Sequence, residues 1–160
     1  PYKGILYAGL MLTKTGPQIL EFNARFGDPE TQPLLVRMDS DIIPIFEACI
    51  DGTLDNCPLQ CKSESSVCVV MAAKGYPDSY EKGKFISGLK DANALPGVVV
   101  FHAGTKEQDG EVLTQGGRVL GVTAIGKDTA TGISRAYEAV NKIEWEGIHY
   151  RKDIGHRASS

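Results

Sequence analysis

The sequence contains no apolar run approaching the roughly 20 residues that a membrane-spanning helix requires, and no leader segment is read before its first predicted strand. Its four cysteines, Cys49, Cys57, Cys61 and Cys68, include no C-x-x-C pair, and its histidines are confined to His102, His149 and His156. That spacing gives no support to a zinc site, so the cysteines are read as reduced packing residues. Positive charge is not in excess either: the net charge is −3 and the pI about 5.6. Such a balance argues against non-specific nucleic-acid binding. Repeats and low-complexity tracts are also missing. What remains is ordinary globular composition, 42% hydrophobic and 23% charged. A length of 160 residues suffices for one domain or two small units. A cytoplasmic protein with no membrane or nucleic-acid partner is expected.

The informative stretch is Ile19-Leu20-Glu21-Phe22-Asn23-Ala24-Arg25-Phe26-Gly27-Asp28-Pro29-Glu30-Thr31-Gln32. Side chains alternate along a strand, which puts Glu21, Asn23 and potentially Arg25 on one face and Leu20 and Phe22 on the other. Two hard oxygen donors side by side suit Mg²⁺, which takes one or two protein ligands and fills its octahedron with water and phosphate oxygens. The same pattern also fits a half-exposed hairpin whose outer face is merely polar. Beyond it, Gly27 permits a sharp turn, Asp28 suits a helix N-cap and Pro29 a first helical position. A helix starting there would favour an anion at its N-terminus.

Along the chain, Gly4–Leu12 and Gln18–Asn23 are two apolar segments flanking turn chemistry at 13–17, which predicts an antiparallel hairpin. Helical periodicity begins at about Glu30, with Pro33 tolerated in its first turns, and a second helix is expected over 41–50, stopped by Gly52. Residues 53–66 form a polar connection. Strands are then predicted at 67–73, 98–102, 111–114 and 118–125, with Asp109-Gly110 and Gly116-Gly117 as turns. A helix follows over 129–143, capped by Asp128, with Ile133, Ala136, Tyr137 and Val140 facing inward. The fold class is α+β: a hairpin with helices over 1–60, then a small antiparallel sheet or open barrel with one helix over 65–160.

The run EFNARFGDPETQ resembles the metal-binding segment near the end of the ATP-grasp domain in the phosphoribosylamine–glycine ligase (glycinamide ribonucleotide synthetase) family. The likeness continues in YAGLML before it, VVMAAKGYP at 69–77, VFHAGT at 100–105, GGRVLGVTAIG at 116–126 and YRKDIGHRA at 150–158. These blocks follow the family's order and cover nearly the whole chain. The resemblance implies that 1–60 is the C-terminal segment of an ATP-grasp domain and 65–160 the family's small C-terminal domain. Since the chain opens at Pro1 inside the predicted hairpin, it is expected to be one segment of a longer polypeptide, with upstream domains as its partners.

The resemblance further implies a ligase that joins glycine to 5-phosphoribosylamine through a glycyl phosphate, consuming ATP as co-substrate with Mg²⁺ or Mn²⁺ as cofactor. Glu21 and Asn23 match the family's metal-binding pair. Arg25 and Asp28 are the candidate catalytic, substrate-contacting residues: an arginine grips a carboxylate or phosphate through two parallel hydrogen bonds, and an aspartate can hold an amine. Against these roles stand a plain helix cap for Asp28 and an ion pair with Asp28 or Glu30 for Arg25. The cation-rich block at 150–157 either closes over a ribose phosphate or is a solvated tail. His102, Tyr76 and Trp145 are read as structural. Two other readings remain open: a different ATP-grasp carboxylate–amine ligase, and a non-catalytic binding or assembly module of a multifunctional purine enzyme.

Overall fold

The computed structural model describes residues 1–158. It divides into two compact units, the first made of Pro1–Thr31 and Met38–Lys62, the second of Gln32–Arg37 and Ser63 onward. In the first unit, strands β1 (Tyr7–Thr13) and β2 (Gly16–Asn23) form an antiparallel hairpin closed by Lys14-Thr15. Thr13 ties the turn by donating its hydroxyl to the Gly16 carbonyl at 2.7 Å. The register runs from Thr13↔Gly16 to Tyr7↔Asn23 and slips between Gly9 and Leu10, beside Glu21. Such bulges bend a strand and re-aim its side chains.

Helix α1 (Thr31–Arg37) starts later than the sequence suggested. Residues 28–30 form a turn, because the backbone N–H and hydroxyl of Thr31 both donate to the Gly27 carbonyl. Asp28 therefore does not occupy the N-cap position of this helix and Pro29 is not its first residue. With seven residues, α1 is also too short to offer the anion site expected at its N-terminus. Pro33 lies in its first turn, where its missing N–H leaves no intrahelical bond unmade. Helix α2 (Ile42–Asp51) is capped by the Asp41 carboxylate, which accepts from the Ile43 N–H at 2.9 Å. It ends at Gly52, whose φ of 75° lies in the left-handed region that glycine enters freely.

The second unit contains strands β3 (Ser65–Ala73), β4 (Val98–His102), β5 (Thr105–Gln108), β6 (Glu111–Thr114), β7 (Arg118–Gly126) and β8 (Ile148–Tyr150), with short helix α3 (Leu89–Asn93) and helix α4 (Thr129–Val140). Four of the strands form an open antiparallel sheet in the order β4-β7-β3-β8, and β5-β6 is a separate two-stranded ribbon. Strand β7 reads as a nearly continuous apolar run because it is central and covered: Val119, Leu120, Val122 and Ala124 are all buried. On α4, Gly132, Ala136, Ala139 and Val140 make the inward stripe that packs on β3 and β7. The Asp128 carboxylate accepts from the Thr131 N–H at 2.7 Å, capping α4 as the sequence indicated. The α+β class is borne out, with β5, β8 and α3 as additions to the expected elements.

Candidate functional site

The hairpin brings Glu21 and Asn23 together. They are two residues apart on β2, so they share a face, and the Asn23 carboxamide donates Nδ2–H to Glu21 Oε1 at 3.2 Å. That bond uses the nitrogen of Asn23 and one oxygen of Glu21, and leaves the Asn23 carbonyl oxygen and Glu21 Oε2 as hard donors. Across the hairpin the partners are Tyr7 for Asn23 and Gly9 for Glu21. A Cβ at Gly9 would press on Glu21 Cγ at 3.2 Å, so the glycine clears the space that the glutamate stem occupies.

Tyr7 extends the cluster to a residue that the sequence reading passed over. Its phenol donates to Glu30 Oε1 at 3.2 Å. The Glu30 carboxylate pushes the phenol's pKa up, with desolvation and the Glu21 charge acting in the same direction. Tyr7 thus stays protonated at neutral pH and holds Glu30 as a donor. A Cβ at Gly27 would overlap the Glu30 carboxylate, so Gly27 serves a close approach as well as a turn. Glu21, Asn23, Tyr7 and Glu30 form one polar cluster, framed by two glycines. The available signal was the hairpin register, which sets Tyr7 opposite Asn23; Glu30 follows only from the fold of the 24–30 loop.

Arg25 and Asp28 lie in that loop, between β2 and α1. Arg25 donates Nη1–H to the Phe26 carbonyl at 2.8 Å, which uses one of its five N–H donors. The Phe26 ring meets Phe46 of α2 with centroids 6.4 Å apart, which anchors the loop. No group of three or more His, Cys, Asp or Glu arranged to hold a metal occurs among the described residues. The donor set at Glu21 and Asn23 is one carboxylate and one carboxamide. It fits a hard cation that keeps water or phosphate oxygens on its remaining positions, as Mg²⁺ does.

In the second unit, Arg151 of the cation-rich block pairs in two-pronged fashion with Asp153, Nε to Oδ1 at 2.9 Å and Nη2 to Oδ2 at 2.7 Å. This pairing holds the Asp153 carboxyl below the usual carboxylate range. Tyr137 ties the segment to α4, donating to the Arg151 carbonyl at 2.7 Å and accepting from the Ile154 N–H at 3.0 Å. His102 is exposed at the end of β4 with Nδ1 3.0 Å from the Thr105 hydroxyl.

This architecture recurs in two solved structures. The crystal structure of phosphoribosylamine–glycine ligase from Thermotoga maritima matches with a TM-score of 0.72 and 37% identity, over 92% of this chain and 36% of that one. N5-carboxyaminoimidazole ribonucleotide synthetase from the same organism matches with a TM-score of 0.60 at 20% identity, over 89% of this chain and 37% of that one, a likeness of fold alone. The fold is thus shared with a phosphoribosylamine–glycine ligase and with a ribonucleotide synthetase. The model of the phosphoribosylglycinamide synthetase C domain matches residues 66–157, and that of the same enzyme's ATP-grasp (A) domain matches residues 1–31. The chain belongs to the phosphoribosylglycinamide synthetase family.

Proteins named phosphoribosylamine–glycine ligase are similar over nearly its whole length. That of Rhodopirellula baltica is 52% identical, over 99% of this chain and 36% of the relative. That of Synechocystis is 53% identical, over 98% of this chain and 38% of the relative. The chain therefore spans little more than a third of the length of the curated relatives it matches.

Proposed function

We propose that the chain is part of an ATP-dependent ligase joining glycine to 5-phosphoribosylamine, with glycinamide ribonucleotide, ADP and phosphate as products, in de novo purine biosynthesis. The reading is carried by the Glu21–Asn23 contact on a hairpin face, in a chain about half identical to proteins named for that ligation. A glycine carboxylate oxygen attacks the γ-phosphorus of ATP, ADP leaves, and glycyl phosphate forms. The ribosylamine nitrogen then attacks the acyl carbon, phosphate departs with the C–O electron pair, and the nitrogen loses a proton. The first step forces two anions together, so its barrier falls when charge is neutralised.

Glu21 and Asn23 would hold Mg²⁺, with Mn²⁺ able to replace it because it accepts the same oxygen ligands. The bound ion would supply charge neutralisation at the phosphates. Glu30, oriented by Tyr7, adds a second carboxylate to that face. Arg25 grips the glycine carboxylate or a phosphate and fixes its approach. Asp28 holds the ammonium of glycine or the amine of the second substrate. Residues 1–60 then close an ATP-grasp domain and 65–160 make the small C-terminal domain, while upstream domains of the same polypeptide complete the nucleotide pocket. The exposed apolar side chains of the hairpin, Leu10, Leu12, Ile19, Leu20 and Phe22, support a covering of that kind.

The test is glycine-dependent ADP release by the full-length polypeptide that carries this segment, supplied with phosphoribosylamine, before and after Glu21→Gln. Gln keeps the shape and removes the charge. Loss of activity by about 100-fold or more, not restored by excess Mg²⁺, is expected. A Glu21→Gln enzyme with nearly full activity overturns the metal assignment. A parent without glycine dependence overturns the substrate, and leaves another carboxylate–amine ligase or a binding module.

A further inference from the structure

Arg25 and Asp28 lie in a loop whose backbone is fixed by neither a strand ladder nor a helix. Three contacts within the first unit hold it. At its far end Thr31 bonds back to the Gly27 carbonyl, and in its middle the Phe26 ring meets Phe46. Its near end is held from the opening residues of the chain. The Tyr2 phenol lies 2.8 Å from the Ile5 carbonyl oxygen and 3.1 Å from that of Ala24, so it directs one hydrogen at two acceptors.

Two features show that this contact is built into the chain. Gly4 has a φ of 139°, which side-chain-bearing residues seldom adopt, and a Cβ there would come within 2.9 Å of Tyr2 Oη and 3.2 Å of its Cζ. The glycine thus clears the place of the phenol, as Gly9 does for Glu21 and Gly27 for Glu30. The segment around it is also anchored. The Lys3 ammonium donates to the Ile50 carbonyl in the last turn of α2, where a helix favours a cation, and the Cys49 thiol donates to the Gly4 carbonyl at 3.9 Å. Tyr2 is 58% exposed, so it adds little to the core. What it fixes is direction: the Ala24 carbonyl belongs to the same planar peptide group as the Arg25 N–H.

We propose that Tyr2 is a positioning residue for Arg25: its phenol holds the Ala24–Arg25 peptide and so sets the direction from which the guanidinium meets a carboxylate or phosphate. The inference rests on the substrate-gripping role proposed above for Arg25. Because the peptide group is rigid, holding its carbonyl also orients the start of the Arg25 side chain. The side chain's Nη1 donates to the Phe26 carbonyl, so the guanidinium is steered from the backbone on both sides of its own residue. A two-pronged grip depends on such aim more than a point charge does.

The experiment compares Tyr2→Phe, Arg25→Ala and the double variant in the full-length polypeptide that carries this segment. Tyr2→Phe should raise, by about fivefold, the KM of the same substrate whose KM Arg25→Ala raises most, with kcat within about twofold of the parent. In the Arg25→Ala background the same change should alter that KM by less than about twofold, because the two residues act as one unit. A second readout needs no activity. With arginine isotopically labelled in the same polypeptide, Tyr2→Phe should shift the Arg25 amide resonance, since a hydrogen bond to a carbonyl polarises its own peptide group. The amides of Arg118, Arg135 and Arg151 in the second unit should stay in place. An unmoved Arg25 amide overturns the proposal, as does a full Tyr2→Phe effect without Arg25, or a rise in another substrate's KM. A parent without glycine dependence overturns the ligase reading, and the amide shift then decides alone whether Tyr2 holds the Arg25 peptide.

Discussion

The two units of this chain are ordered by different means. In the second, Val69, Met71, Val119 and Val122 are fully buried in one core cluster with Ala136, Ala139 and Val140 of α4, and the strands owe their places to that core. In the first, the only described residues in the buried class are Gly9 and Gly27, the two glycines that make room for Glu21 and Glu30. Many of its large apolar side chains lie outside, Leu12 being 83% exposed, and the Phe26–Phe46 pair is only half-buried. The hairpin is held by its backbone ladder and by polar contacts around Tyr7, Glu21, Asn23 and Glu30. A two-stranded hairpin alone is only marginally stable. The candidate reaction site is therefore carried by the unit that has not buried its own apolar surface.

The largest effect expected from this contrast is on stability. Met71→Ala should cost about 2–5 kcal/mol, because it removes a large side chain from a closed core. Leu12→Ala should change the stability of this chain by less than about 0.5 kcal/mol. Thermal or denaturant unfolding of both variants checks this, and comparable losses would break the contrast. The same Leu12→Ala placed in the full-length polypeptide should cost more than it does here if upstream domains cover the hairpin.

Next in size is an effect on activity without one on stability. Glu30→Gln in the full-length polypeptide should lower glycine-dependent ADP release by about tenfold, and Tyr7→Phe by about threefold, since it frees Glu30 without removing its charge. Neither should shift the unfolding temperature of the second unit. Full activity in both variants would confine the site to Glu21 and Asn23.

Much of this architecture was legible because it is written locally. Asp109-Gly110 was readable as a turn, and the structure gives both residues positive φ, 54° and 82°. Asp128 and Gly52 were readable as helix ends for the same kind of reason. The strand before that turn, Thr105-Lys106-Glu107-Gln108, carries no apolar alternation, because it lies on an exposed ribbon and nothing selects for it. Strand β8 has three residues and exists through its pairing with the end of β3, some 75 positions away in sequence, which no local pattern reports. At the hairpin the pair Glu21–Asn23 followed from strand periodicity. Tyr7 needed the register, and Glu30 needed the turn that Thr31 closes on Gly27. The expected helix start at Asp28 failed there, since Thr31 bonds back to the Gly27 carbonyl in a local turn and α1 begins only at Thr31.

The smallest effect concerns the second unit's own helix and can be isolated by pH. The Thr131 side chain and backbone N–H both hydrogen-bond the Asp128 carboxylate, which holds its pKa below the ordinary carboxylate value. A carboxyl with a lowered folded-state pKa stabilises the fold fully above the unfolded value, about 4, and loses that contribution as pH falls through the folded value. Asp128→Ala should therefore lower the unfolding temperature by roughly 2–4 °C at pH 7. The gap to the parent should stay constant down to about pH 5 and narrow below about pH 4. Glu81 and Asp153 are lowered in the same way by Lys84 and Arg151, so the parent alone would show a composite acid transition. The difference between the two proteins removes those contributions, since neither pair includes or contacts Asp128. A gap that stayed unchanged to pH 3 would mean that Asp128 caps α4 through shape and not through its charge.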